Sequence, residues 1–520
     1  MKNNTAFSTE KYLRVQKEAV EERLAKFPGR LYLEFGGKLL DDYHAVRTLP
    51  GYESNAKLRL LKSLGRKLGI IYCISAKQLS EGKIRGDWGV GYDEATIRIL
   101  TDLKNLGLRL EGVAINRYEG EKEADIFERR LRQMGVRVFK RREIKDYPKN
   151  LDLILSSKGY GADEYLRPKS KLVVVWGTGP GAGKLSTCLG QLYHEAKRGI
   201  NSGYAKFETF PVWDLSVAHP INLAYEASTA DLGDYNLVDP FCKSGKSTPT
   251  ALQSGGQARR QPCSLGGQAV NYNRDVEAFP IIRRIFAKML PRDNYARNYG
   301  SPTEMGFNRL SAGMVDDKKL RKAAKREINF YLFRYREEFK RGLVEEKTLK
   351  KMDELLKKAK IGEDYLPTVK VARRAAEVEG RRGGKKKIKI YCGAGIELVG
   401  GNLVGGKNSS LLHAEAAMLL NAIKQTAKID DKFDLISASV IKQINRLNKK
   451  LGDESCSLDA SEAMMALAVS ARDNPLAKKA LECLPKLKGC YVHTTHGPSA
   501  ADSQLFRKLG LWVSTDGRVV

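Results

Sequence analysis

Residues 171–199 read KLVVVWGTGPGAGKLSTCLGQLYHEAKRG. An apolar run, Leu172–Trp176, enters a turn with glycines at 177, 179, 181 and 183, and the chain leaves as Lys184, Ser186, Thr187 and an amphipathic pattern. The order is buried strand, glycine loop, helix. Glycine lets a backbone wrap an anion with its N–H groups facing inward, the helix N-terminus adds partial positive charge, and one lysine reaches the outer phosphates. The residues expected to bind phosphate are therefore Gly177, Thr178, Gly179, Gly181, Gly183, Lys184, Ser186 and Thr187. The spacing departs from GxxxxGK[ST]: Thr178 takes the first glycine position, Leu185 follows the lysine, and Ser186 and Thr187 come one and two places late. The alternative reading is a glycine turn needed only for packing.

Working outward, short apolar runs at Leu31–Phe35, Ile70–Ile74, Val113–Asn116, Val136–Phe139, Leu151–Leu155 and Leu172–Trp176 read as strands, with helical patterns such as Asp93–Leu106 and Glu121–Gln133 between them. Strands of about five residues separated by helical patterns of about ten to fifteen predict a mostly parallel three-layer α/β region over residues 1–241. Residues 242–268 change to Ser, Gly, Gln and Thr and read as a polar low-complexity insertion. Residues 269–382 are charged and helical, with Lys318–Gly342 and Glu345–Lys360 the clearest helices, and predict a helical subdomain. Residues 383–520 read as two strands around a Gly393–Gly395 turn (Lys387–Cys392 and Ile396–Val404), a helix at Ser409–Lys428, a strand at Leu435–Ser439, further helices, and strands at Cys490–Thr494 and Leu511–Ser514. That order, ββαβαβαβ, is similar to cytidine-deaminase-like three-layer domains.

Ligands of open α/β sheets gather past the carboxyl ends of the strands. This rule selects His44, Arg85, Asp87, Glu208 and Thr209 as pocket residues, and Asp239, with Asp231 and Asp234, as carboxylates for a magnesium ion accompanying ATP or another nucleotide. Two zinc motifs fail on spacing. His194–Glu195 opens an HExxH, but position 198 is Arg. His413–Ala414–Glu415 matches the first half of a zinc deaminase, yet the helix that should open with PCxxC reads IKQINRL, and Cys483 and Cys490 lie in other elements. A core-facing His413 and a surface Glu415 account for the motif, and no metal ligands or zinc are expected.

The chain has 91 Lys and Arg against 61 Asp and Glu, a net charge of +30, which attracts nucleic acid or phosphorylated metabolites. At 520 residues and 42% apolar it is globular, with material for several domains. It offers no apolar run long enough to span a membrane and no signal-peptide core, so a cytoplasmic location is expected. The eight cysteines form no CxxC and read as reduced thiols.

At LYLEFGGKLLDDYHAVRTLPG (31–51), KIRGDWGVGYDE (83–94), GTGPGAGKLSTCLGQLYHE (177–195), GYAKFETFPVW (203–213), HPINLAYEASTADL (219–232), VNYNRDVEAFP (270–280) and SPTEMG (301–306), the sequence resembles a large bacterial family known only as domain of unknown function 1846. The resemblance covers essentially the whole chain. It implies an α/β N-terminal region, a small helical subdomain and a C-terminal three-layer domain resembling the deaminase fold without its zinc site, and it imports no activity. Two departures stand out: the 242–268 tract exceeds the family's usual connection, and SSLLHAEAAMLLNAIK replaces a GASSALLLNALK-like stretch that lacks the histidine.

The leading expectation is a cytoplasmic protein that binds a nucleotide or other phosphorylated ligand at Gly177–Lys184, open to a nucleotide-dependent enzymatic role. The alternatives are a nucleic-acid-associated basic protein, or a non-catalytic scaffold whose C-terminal domain mediates assembly with copies of itself. No membrane partner is expected.

Overall fold

The computed structural model describes residues 5–39, 41–82, 84–85, 90–242, 269–382, 391–450, 452 and 457–518. The chain divides into two compact units, one of residues 1–226 and 234–324, the other of 227–233 and 325–520. The 242–268 tract, apart from Cys242, and the expected strand at Lys387–Cys392, apart from its last two residues, lie outside the described residues.

The first unit is built on seven parallel strands: β1 (Leu31–Phe35), β2 (Leu68–Ser75), β3 (Leu110–Tyr118), β4 (Val138–Arg142), β5 (Leu172–Gly177), β6 (Gly203–Phe207) and β7 (Gly306–Phe307). They lie in the order β7-β6-β1-β5-β2-β3-β4. Every residue of β1, β2, β5 and β6 is buried, as both faces of a parallel sheet require. Phe35 and Phe207, level with one another on β1 and β6, stack at 4.2 Å. The central position of β5 decides where a ligand can go. From β5 the chain crosses β1 to reach β6, whereas from β2 it proceeds the other way to β3, so these adjacent strands form the switch point past whose carboxyl ends open α/β sheets take their ligands.

Five of the six strands expected before residue 177 form. The sixth, Leu151–Leu155, is a short helix, Leu151–Ile154, because the Asn150 side chain accepts from the Leu153 N–H and caps a turn there.

The second unit carries a mixed sheet of β8 (Gly393–Glu397), β9 (Leu403–Lys407), β10 (Tyr491–His496) and β11 (Trp512–Arg518), ordered β9-β8-β10-β11 with only β10 and β11 parallel. Two expectations are corrected here. Gly393–Gly395 is no turn but part of β8: a Cβ on Gly393 would lie 2.1 Å from the Ala372 carbonyl oxygen, so glycine allows helix Pro367–Arg382 to press on the strand. The hairpin turns instead at Gly400 and Gly401, with φ of 109° and 89°. Leu435–Ser439 forms no strand either. Leu435 and Ile436 are buried apolar residues, and Ser437 caps helix Ala438–Lys450 through the Val440 N–H. The sheet is one strand short of the ββαβαβαβ pattern, so the deaminase likeness does not carry through.

Cys242 is disulfide-bonded, contrary to its reading as a reduced thiol. Cys73, Cys188, Cys392, Cys483 and Cys490 are free. Among the described residues, no helix is long and apolar enough to cross a membrane.

Candidate functional site

Glycines set the path of the loop that leaves β5. Gly177 must be glycine, since a Cβ there would meet the Cys73 carbonyl oxygen at 2.3 Å, and the Thr178 N–H donates to that same oxygen at 3.0 Å. Gly179, Gly181 and Gly183 have φ of 150°, 77° and 80°, backbone that side-chain-bearing residues rarely adopt. Space beside Gly179 and Gly181 is open. Gly183 is the N-cap of helix Lys184–Ala196, whose first-turn N–H groups have no partner within the helix. A Cβ on Gly183 would strike the Asn116 side chain at 2.6 Å.

The walls of the loop come from β3 and β4. Asn116 donates from Nδ2 to the Ala182 carbonyl at 2.7 Å, and its Oδ1 accepts from the Thr187 hydroxyl and from Arg141 Nη1. Arg141, 5% exposed, pairs with Asp163 at 2.8 Å and also donates from Nη1 to Ser186 Oγ and Thr187 Oγ1. A buried guanidinium thus braces the first turn of the helix that follows the loop. Lys184 Nζ donates to the Gly179 carbonyl at 3.0 Å and clasps the loop, while Thr178 Oγ1 donates to Gln78 Oε1 at 2.6 Å. Thr187 is fully buried and hydrogen-bonded to Gly183 and Asn116, so its role is structural. Burial pushes the Cys73 thiol beside it up to about 11, which leaves it neutral and unreactive. Sequence reading missed Asn116, Arg141 and Gln78; the one available signal was that Asn116 ends the apolar run of β3.

A second polar cluster forms at the carboxyl ends of β1 and β6. Glu208, 7% exposed, places Oε1 2.8 Å from Lys206 Nζ, and Lys206 also pairs with Asp275 and donates to the Tyr272 hydroxyl. Glu208 Oε2 is buried with no hydrogen-bond partner among the described residues. Burial pushes the Glu208 carboxyl up to about 8; Lys206 opposes the shift and Asp275 adds to it. Across the 2.8 Å contact Lys206 thus faces a carboxyl that holds its proton more tightly than an exposed glutamate does. The turn after β1 lies alongside: Gly36 Cα faces Glu208, Lys57 pairs with Asp42 at 2.8 Å, and Trp176 of β5 donates to the Gly37 carbonyl at 3.2 Å. Through Trp176 this cluster adjoins the strand that feeds the glycine loop.

The remaining sequence candidates divide. Thr209 is buried beside Glu208, and its carbonyl accepts from Asn308. His44, in helix Tyr43–Thr48, packs edge-on against Phe210 at 4.9 Å. Arg85 lies in a short strand paired with Val90–Gly91, and Asp87 lies outside the described residues. Asp239 is 2% exposed and accepts from Thr303 Oγ1 at 2.6 Å and from the Phe241 N–H. Asp234 pairs with Arg274 at 2.6 Å, and Asp231 accepts from Tyr335 at 2.8 Å.

Both zinc-like motifs resolve into other roles. Glu195 is fully buried and its carboxylate serves Arg30, Tyr32, Tyr165 and Ser202. In the second motif the expected orientation is reversed: Glu415 is the buried member at 1% exposure, while half-buried His413 is the N-cap of helix Ala414–Ala427. The helix begins at Ala414, so His413 remains on the loop and the second residue of the helix turns inward.

Family models match nearly the whole chain: domain of unknown function DUF1846, N-terminal, over residues 5–252 and 262–360, and domain of unknown function DUF1846, C-terminal, over residues 364–519. A UPF0371 protein of Clostridium tetani is 39% identical over 512 residues, covering 98% of this chain and 97% of its own. One from Clostridium botulinum type A is 40% identical over 512 residues with the same coverage, and one from Fusobacterium nucleatum is 39% identical over 513 residues. From the glycine loop to the C-terminal sheet, the chain belongs to the DUF1846 family, the UPF0371 proteins.

Proposed function

We propose that this protein binds a phosphorylated small molecule, a nucleotide such as ATP foremost, at the Gly177–Lys184 loop. The observation that carries the reading is the placement of an open glycine loop at the point where the connections of β5 and β2 diverge, directly before the N-terminus of a 13-residue helix. Phosphate oxygens would take the free N–H groups around Gly179–Lys184, and Lys184 would exchange the Gly179 carbonyl for the ligand. The residues assigned to contact are Gly179, Gly181, Gly183, Lys184 and Ser186; Gly177, Thr178 and Thr187 shape the loop.

The three aspartates that the sequence offers as magnesium ligands already hold Thr303, Arg274 and Tyr335. The reading is therefore of phosphate binding, and phosphoryl transfer has no assigned carboxylate.

A thermal-shift screen with nucleotides and phosphorylated metabolites tests the proposal. A ligand at about a hundred times its dissociation constant adds roughly 2.7 kcal/mol to the state that binds it. At least one phosphorylated compound should raise the melting temperature while its dephosphorylated parent does not. Equal shifts for the two, or none across the screen, would count against the loop.

A further inference from the structure

The second unit brings a thiol, an imidazole and a carboxylate together in a way unrelated to the glycine loop. β8 and β10 are antiparallel, with Ala394 opposite Thr494, and the Gly393 N–H donates to Thr495 Oγ1 at 3.0 Å. Continued two residues beyond the ladder, this register sets Cys392 level with His496, and cross-strand neighbours on one face have Cβ atoms about 4.5–5.5 Å apart. Gly393 and Gly395 press on helix Pro367–Arg382, so the alternate residues Cys392 and Ala394 face the other side of the sheet. That side meets the start of helix Ala414–Ala427: Gly406, paired with Ala394, would place a Cβ 2.3 Å from the Ala414 carbonyl oxygen.

Glu415 enters from the first turn of this helix. Its Oε1 lies 2.9 Å from His496 Nε2, yet neither carboxylate oxygen closes a well-aligned hydrogen bond. The Cys392 thiol stands beside the same ring, and His496 Nδ1 is buried without a hydrogen-bond partner. Burial works against charge on this imidazole, but Cys392 and Glu415 outweigh it and push the ring up to about 10. Asp502, close behind, caps helix Ala460–Ser470 through the N–H groups of Ala460 and Ser461 and so has a structural task. The imidazole adjoins both a thiol and a carboxylate, the grouping in which histidine takes a proton from a nucleophile while an acid fixes its orientation. A buried ion pair alone accounts for the 2.9 Å contact of Glu415 with His496 but leaves the thiol beside the ring without a purpose.

We propose that Cys392, His496 and Glu415 form a nucleophilic thiol site that accepts an acyl group from an activated ester or thioester. Cys392 Sγ forms a bond to the carbonyl carbon. Protonated His496 gives its ring proton to the leaving oxygen or sulfur as its bond to that carbon breaks, and takes the thiol proton in exchange. An S-acyl cysteine and the free alcohol or thiol result. Water then adds to the same carbon, releases the carboxylic acid and returns the proton to sulfur. Glu415 is a positioning residue that acts through His496, and the N-terminus of helix Ala414–Ala427 supplies partial positive charge near the developing oxyanion.

The test is to mix the full chain with p-nitrophenyl acetate at neutral pH, follow nitrophenolate release and map acetyl groups by mass spectrometry. A burst approaching one equivalent and an acetyl on Cys392 are expected. Cys73, Cys188 and Cys490, whose thiols burial pushes up, should stay unmodified. Cys392→Ala should abolish the burst. His496→Gln should slow it by about a hundredfold or more, the usual scale for losing a general acid–base group. Glu415→Gln should move the pH–rate profile as well as the rate. Mapping on the wild-type chain needs no variant to fold. Absence of a burst, acetylation spread over other residues with Cys392 free, or an unchanged burst rate in a folded His496→Gln protein would each overturn the proposal.

Discussion

Glu208 and Asp275 share one ammonium group, that of Lys206, with Glu208 and Lys206 buried. One buried and one partly buried carboxylate against a single cation leave an excess negative charge, which a proton on Glu208 removes. Its carboxyl is raised to about 8 in the fold, so the folded chain holds this proton more tightly than the unfolded chain, where glutamate titrates near 4.5. The associated stability is complete below pH 4.5 and declines as pH rises through about 8. Glu208→Gln keeps the neutral shape and cannot ionise. Its melting temperature relative to wild type should therefore climb between pH 5 and 9; a difference that stays flat or falls over that range would mean Glu208 is ionised in the fold. Glu208 was selected from the sequence because it follows a strand. Its partner Asp275 was not, because a sequence gives no sign that a residue some seventy positions away returns to the same ammonium.

Glycine positions show where an element was legible and where it was not. The strand–loop–helix at 172–196 forms as read, because an uninterrupted apolar run, several glycines and an amphipathic pattern all point to one local structure. The glycines of β8 misled for a physical reason. Gly393 and Gly395 are dictated by a helix more than ten residues away, and a local reading takes such residues for a turn. Gly393→Val would place side-chain atoms against the Ala372 carbonyl and should cost about 1–3 kcal/mol or more. Gly497→Ala, where nothing lies within 4 Å of the added Cβ, should stay within about 0.5 kcal/mol. Thermal unfolding of the two variants compares them directly, and similar losses would remove the close helix–strand contact as the reason for glycine. The expected strand at Leu435–Ser439 failed similarly: two buried apolar residues before a serine cap have the composition of a strand and the hydrogen bonding of a helix start.

Across the whole molecule, the parallel sheet and the glycine turn between strand and helix at 172–196 were legible, because the pattern of strands and helices encodes them. The braced Arg141 and the inward turn of Glu415 were not, since each depends on segments apart in sequence meeting. The net charge of +30 supplies a rival account of any anion binding, and the two make opposite demands. Attraction to a basic surface is spread over many residues and fades as about 0.1–0.2 M salt screens it. A formed cradle depends on one lysine and on backbone N–H groups. Calorimetric titration of ATP into wild type and Lys184→Ala, at two salt concentrations, therefore tests the central claim most directly. The cradle predicts a loss of about 2–4 kcal/mol on removing Lys184, the scale for truncating one partner of a desolvated charge pair, with the loss persisting at the higher salt. Equal affinities for the two proteins would contradict it and leave the glycines of 177–183 as a packing turn.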